Sequence, residues 1–374
     1  MLTAKTRARD FPGLEKLTYL NTAAEGIPPT CVGEALQDYW RDKLQGMKGR
    51  DAHFARLEKC REIAARMIHR RPAEVSFCSS SAEAYNLLAT ALNLQPRDEV
   101  VVNDLDFPSG ATPWLANRCR VKIWKSRNGA LVVEDLLPLL NERTRLAQTS
   151  LVSFVNGHRL DWAAFRNAVR SRAPHALISV DITQALGRVP LDCRDADCII
   201  SSTHKWVLGI HGGCIVGIPK KRAEQLTTRA GGWFHLLNAF EADRFERVAP
   251  KQGAPSFSVG MPNFAAIYAL SAGLRYVDAV GVENIARHAD PLVQQLQQGL
   301  LELGVTLMAP PQRAGSGIVA FVHPQNAAIH AALERARIHV MHSAGRLRIA
   351  LHGYNTAQDV ERFLQALRKI LRSR

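Results

Sequence analysis

The 374-residue chain predicts an α/β fold: a large unit built on a mostly parallel seven-stranded sheet, then a small C-terminal α+β unit. Three observations predict it. Seven short apolar runs, most of them rich in Val and Ile, recur between Val75 and Ile218. Stretches of helical period separate several of them, the alternation expected of strands joined by helical crossovers. From about Pro262 the pattern changes to two long helical stretches, then short strands and a closing helix. These changes set the boundaries at 20–262 and 263–374, with residues 1–19 packing on the small unit or on a partner subunit.

Taken in order, the strands expected of the large unit are Val75–Cys78, Glu99–Asn103, Val121–Lys125, Leu146–Phe154, Ala176–Asp181, Cys198–Ser202 and Cys214–Ile218. The last follows its predecessor too closely for a helical crossover and is expected to pair antiparallel. Helical period marks Ala82–Leu92 and Trp162–Arg172 between strands. In the small unit, helices are expected at Asn263–Val280, Gly281–Leu303, Ala327–Ala336 and Thr356–Leu371, the last capped by Asn355 or Thr356. Strands are expected at Ser316–His323, Ile338–Met341 and Arg346–His352. No internal repeat or low-complexity tract interrupts this order.

Composition narrows the function class. Apolar content of 47% with a mean hydropathy of −0.11 describes a soluble protein, and no run reaches the roughly 18 apolar residues of a membrane span. The opening Met1–Asp10 is polar and lacks a secretory apolar stretch, which points to the cytoplasm. Seven cysteines form no Cys-x-x-Cys pair, the pattern of reduced thiols without a structural metal site. The formal charge of +14 has two readings, a nucleic-acid or anionic surface and a general basic background. Basic residues are spread along the chain without an arginine-rich tail or interleaved aromatics, which favours the second.

Ligands of parallel sheets bind beyond the carboxyl ends of the strands, and the unusual polar residues fall there. Ser79-Ser80-Ser81-Ala82-Glu83 follows the first strand. Ser80 and Glu83 fit a capping box, which places the amides of Ser81 and Ala82 in a first helical turn able to cradle a phosphate. A plain helix cap fits the same residues. Phe107, in the loop Phe107-Pro108-Ser109-Gly110, is either a loop anchor or a ring that stacks on a planar cofactor. Asn156 and Arg159 follow the fourth strand, within reach of a ligand. Asp181 ends a buried strand and Gln184 follows three residues later; a helix cap is the other reading of Asp181. Lys205, in Ser202-Thr203-His204-Lys205, ends another strand after Ile199-Ile200. Such a lysine facing such an acid suits a Schiff base with pyridoxal phosphate, the acid serving the ring nitrogen. Ser202 and His204 are placed to help hold the phosphate, though a core histidine fits His204 equally. Arg346 and Arg348 share one strand face, either clamping a carboxylate or facing solvent.

In this order the motifs resemble the class V aminotransferase family of fold-type I pyridoxal-phosphate enzymes. That family includes cysteine desulfurases, selenocysteine lyases, kynureninases and isopenicillin N epimerase-like proteins. The resemblance runs through Tyr19-Leu20-Asn21-Thr22-Ala23-Ala24, Ser79–Glu83, Val180-Asp181-x-x-Gln184, Ser202-x-His204-Lys205, Gly260-x-Pro262-Asn263 and Arg348–Thr356. It implies that Lys205 carries the cofactor, Asp181 meets the pyridine nitrogen and Gln184 donates to the ring oxygen. It further implies phosphate contacts from Ser81, Ala82, Ser202 and His204, ring stacking by Phe107, and a carboxylate clamp at Arg348. A homodimer with shared active sites follows from the same resemblance. Two departures stand out. The family's Gly-Thr-Pro reads Gly260-Met261-Pro262, which leaves a backbone amide but no threonine hydroxyl for the partner's phosphate. Val340–Arg346 holds none of the persulfide-forming cysteine of desulfurases, which speaks against a thiol-relay cysteine desulfurase. The expected function is a PLP enzyme acting at the α-carbon of an amino acid, an aminotransferase first. A β-lyase or hydrolase of selenocysteine-lyase or kynureninase type, or an epimerase, is the alternative. A non-catalytic basic binding protein on the same scaffold is the remote one.

Overall fold

The computed structural model describes residues 1–311 and 315–372. The strands in chain order are β1 (Thr18–Tyr19), β2 (Val75–Cys78), β3 (Glu99–Asn103), β4 (Arg120–Trp124), β5 (Thr144–Ser150), β6 (Leu177–Asp181), β7 (Cys198–Ser202) and β8 (Cys214–Gly217). They continue as β9 (Ile318–Phe321), β10 (Ile338–His339), β11 (Met341–Ser343) and β12 (Arg346–Ala350). Seven form one sheet in the order β2-β8-β7-β6-β5-β3-β4. The pairs from β7 through β6, β5 and β3 to β4 are parallel, whereas β8 runs antiparallel to both of its neighbours. The short β7–β8 link leaves no room for a helical crossover, so reversal is the only connection available.

Every residue of β2, β3, β6 and β8 is buried, as expected of strands covered on both faces. Ile178, Val180, Ile199 and Ile215 pack on one face with Trp162 and Phe165 of the helix Trp162–Arg172. Ile200, Val216 and Val102 pack on the other with Tyr85 and Leu88 of the helix Ser81–Leu92. A third core surrounds the sheet β11-β12-β9, where Leu347 and Ile349 of β12 meet Phe321, Phe363 and Leu296. β1 pairs in parallel with β10, and Arg7 Nε donates to Tyr354 O at 2.8 Å, so the N-terminal segment lies against C-terminal residues.

Two expected elements changed. The run Leu146–Phe154 stops as a strand at Ser150. Beyond it Ser153 N donates to His158 O and Gly157 N to Ser153 O, which closes a tight loop and turns Phe154 out of the sheet. The stretch Ile338–Met341 divides between β10 and β11, and β11 turns back into β12 through Ala344 and Gly345. Both have positive φ, 48° and 71°, the conformation of a two-residue hairpin turn. The helix Ala357–Arg372 is capped by Thr356, whose Oγ1 accepts from Asp359 N at 3.2 Å. No helix among the described residues is long and apolar enough to cross a membrane.

Candidate active site

The strand directions bring one set of ends together. Ser150 lies opposite Asp181, and both Cys78 and Ser202 lie opposite Cys214. The carboxyl ends of β2, β5, β6 and β7 therefore share an edge, and a cavity of about 790 Å³, its open mouth included, lies beyond it. Ser81, Ala82, Phe107, Asp181, Gln184, Ser202, His204 and Lys205 all line it. Gly260, Asn156 and Arg348 do not.

Lys205 follows β7 in a tight turn, with Leu208 N bonded back to Lys205 O. Gly26 holds this backbone in place. Its amide donates to His204 O, and a Cβ there would fall 1.9 Å from Lys205 O, so only glycine permits the approach. The Lys205 amine forms no hydrogen bond or ion pair among the described residues; its nearest ring is Phe107, 5.5 Å to the centroid. Burial lowers its pKa to about 8, against the opposing pull of Asp181 and with a further push from Arg348. About a tenth is thus the free amine at pH 7, far more than for an ordinary lysine, and that is the form that acts as nucleophile and base.

Asp181 is anchored on both oxygens. Tyr85 donates its hydroxyl to Oδ2 at 3.0 Å and Thr183 its amide to Oδ1 at 2.7 Å. Burial, then the Asp181 charge, raises the Tyr85 pKa, so the phenol keeps the proton it donates. Asp106 stands nearby, half-buried, its Oδ1 accepting from Ser150 N at 2.7 Å; desolvation foremost raises its pKa to about 7. Gln184 accepts from Trp206 Nε1 at 2.7 Å and donates to Ala23 O at 3.0 Å. Indole can only donate, so this contact fixes which end of the amide is which and leaves one N–H hydrogen uncommitted.

The helix Ser81–Leu92 begins as the sequence predicts, Ser80 Oγ accepting from Glu83 N at 3.1 Å. The reciprocal half of the box moves by one residue: the Glu83 carboxylate binds Ser79 N and Oγ instead of Ser80 N. First-turn amides have no acceptor within their own helix, and here they border the cavity. His204 stacks on His211, centroids 4.1 Å apart, and His211 Nε2 lies 3.1 Å from Glu25 Oε1. The three residues bring metal-ligating atoms within 4.8 Å of one another, a cluster the sequence did not suggest. Burial, then Lys205, lowers the His204 pKa to about 4, so its imidazole is neutral at physiological pH.

Arg348 stands behind the cavity wall. Its Nη1 donates to Phe154 O at 2.8 Å, while its buried Nε has no partner. Asn156 is turned away: its amide donates to Gly129 O at 2.7 Å and to Met308 O at 3.3 Å. Gly260 and Met261 are exposed at the surface. Four residues at the site were missed in the sequence. Tyr85 and Thr183 reach it only through folding, one from a helix interior and one as a backbone donor. Phe154 was assigned to a strand, and His211 carried no signal beyond its glycine neighbours.

The class-V aminotransferase family model matches residues 18–363. The chain belongs to that family. An uncharacterized aminotransferase, YcbU of Bacillus subtilis, is 27% identical over 94% of this chain and 93% of its own. A probable cysteine desulfurase of Pseudomonas aeruginosa is 30% identical over 97% of both chains. Among solved structures, a C-DES variant with glycine covalently linked to its pyridoxal-phosphate cofactor matches with a TM-score of 0.86 and 20% identity. That match covers 96% of this chain and 98% of the other, and it shows the shared fold. This class-V chain has the fold-type I architecture, and its family is one of pyridoxal 5′-phosphate enzymes. The exclusion drawn from the cysteine-free stretch Val340–Arg346 is corrected by these relatives, since chains matched almost end to end are named cysteine desulfurase or probable cysteine desulfurase. The physical reason is plain. A missing thiol in one hairpin says nothing about which bond at the substrate's Cα or Cβ the site can break.

Proposed function

We propose that this class-V chain is a cytoplasmic homodimeric enzyme in which Lys205 moves the proton at the substrate's Cα during transamination. The observation that carries the reading is the Lys205 amine, unpaired and with its pKa lowered, in one cavity with the doubly anchored Asp181.

The donor set fits pyridoxal phosphate. A first helical turn at Ser81 and Ala82, with Ser202 and neutral His204 beside it, suits the phosphate. Asp181, held by two donors, suits the ring nitrogen, and the spare N–H of Gln184 suits the ring oxygen. Phe107 suits a ring face. Bound there, the cofactor supplies an electron sink for the carbanion left when a bond at Cα breaks. Lys205 then serves as base and acid at that carbon, while Arg348 orients the substrate carboxylate. Gly260 is assigned to the partner subunit's phosphate, which its surface position leaves it free to approach.

A second reading, cleavage of a carbon–sulfur bond at Cβ, is favoured by the relatives named cysteine desulfurases. Incubation of the purified holoenzyme with an amino-acid panel separates the two. Transamination converts the bound cofactor stoichiometrically to its amine form and yields a 2-oxo acid, whereas carbon–sulfur cleavage, assayed with added thiol as sulfur acceptor and reductant, yields sulfide with alanine or pyruvate and leaves the cofactor band in place. A protein that binds no pyridoxal phosphate at all would overturn both.

A further inference from the structure

Three arginines are buried among the described residues, Arg188, Arg346 and Arg348, at 0%, 6% and 2% exposure. Only Arg188 has an acid, Asp290 at 2.8 Å. Arg346 and Arg348 meet no carboxylate among the described residues, and the Nε of each is buried without a partner. Arg346 makes a single marginal hydrogen bond among the described residues, Nη1 to Ser343 O at 3.5 Å. Burying one unpaired cation is costly, and burying two beside each other more so.

Both cations lean on one residue. Arg348 donates to the Phe154 carbonyl, and the Arg346 guanidinium lies 5.4 Å from the centre of the Phe154 ring. That ring borders the Lys205 cavity and packs edge-on against Phe107, centroids 5.0 Å apart. Residues two apart on a strand share a face and are about 7 Å apart along it, a spacing that two long side chains can close onto acid groups two or three carbons apart. One substrate carboxylate accounts for one arginine. The second is left over.

We infer that Arg346 forms a second anion subsite beside Arg348 and that the substrate is an acidic α-amino acid, one bearing a side-chain carboxylate. This rests on the reading of the Lys205 cavity as the amino-acid site. Arg348 takes the α-carboxylate, and Arg346 takes the side-chain acid.

The test compares acid and amide isosteres on the holoenzyme: L-aspartate with L-asparagine, and L-glutamate with L-glutamine, followed by the change in cofactor absorbance. The acid of at least one pair should be preferred in kcat/KM by ~100-fold or more, the discrimination a desolvated charge-assisted pair supports. R346Q should lower that acid-to-amide ratio by ~10-fold or more, with R346K falling between. Melting temperature supplies a readout independent of turnover, since maleate should raise it more than crotonate, a monocarboxylate of the same length, and R346Q should erase the difference. Amides used as well as acids by the wild-type enzyme, with absorbance responding to both, would overturn the subsite and leave the proposed function standing. Silence of the absorbance to every amino acid, with the maleate effect intact and lost in R346Q, would sink the proposed function and retain the subsite. Because the wild-type comparison alone is decisive, a poorly folding variant does not rescue the idea.

Discussion

Arg188 and Arg348 are buried almost equally, yet the fold treats them differently. Arg188 donates Nε to Leu351 O at 3.0 Å and has the Asp290 carboxylate 2.8 Å from its Nη2, so an acid of the chain stands beside its charge even though neither Nη makes a hydrogen bond. Arg348 receives one carbonyl and a second arginine. Burial, then the Arg346 charge, lowers its pKa to about 10. A cation that serves the fold brings its own acid. Under the proposed function the acid that pairs with Arg348 comes from the substrate, so its charge has no partner to lose within the chain. The same division separates Asp197, paired with both Arg170 and Arg222, from the unpaired Lys205 amine.

Breaking each side of this comparison should give opposite signatures. The largest effect is expected at Lys205. Lys205→Met should reduce turnover by ~1,000-fold or more, as removal of a general acid–base does, and should abolish covalent attachment of the cofactor on borohydride reduction, with the melting temperature held or raised. Next comes Arg348→Met, for which kcat/KM should fall ~100-fold while stability stays constant or rises, since the substitution deletes an uncompensated buried charge. Asp290→Ala should do the reverse. Stranding Arg188 should cost about 2–4 kcal/mol in urea unfolding, toward the lower end because Asp290 is partly exposed, with a smaller change in turnover. Equal stability losses for Arg348→Met and Asp290→Ala would erase the distinction between the two arginines.

A pH test sharpens the same point. The folded Lys205 pKa of about 8 lies below its ordinary 10.5, so the unfolded chain holds that proton more tightly. The stability it contributes is full above 10.5 and is lost as pH falls through 8. Cofactor-free wild-type protein should therefore lose stability relative to Lys205→Met across that window, and parallel curves would refute the assignment. The smallest effect is expected at Tyr85→Phe. Loss of one donor to Asp181 should cost about 1 kcal/mol of stability and lower kcat severalfold, because Thr183 N still holds the carboxylate.

Much of the architecture was legible in the chain. Seven apolar runs became the strands of one sheet, and the close spacing of β7 and β8 foretold their antiparallel pairing. Trp162–Arg172 was bounded correctly because Asp161 caps it through Ala164 N, a local signal. Leu146–Phe154 was drawn too long because apolar content alone does not reveal that Ser153 donates its amide to His158 O and accepts from Gly157 N across a loop. Asn156 was placed at the ligand for the same reason. Its neighbours Gly129 and Met308 lie 27 and 152 residues away, and no sequence period announces them.

By itself the sequence determined which residues stand at the carboxyl ends of β2, β6 and β7. Strand alternation and capping are local, and local chemistry is written in adjacent letters. Only the tertiary structure decided which of these groups find partners. Tyr85 reaches Asp181 across 96 positions, and Arg188 takes Leu351 O across 163, while Arg346 and Arg348 find no acid among the described residues. Charge pairing depends on distance through space, and the free energy of a buried charge is set by what stands within a few ångströms of it.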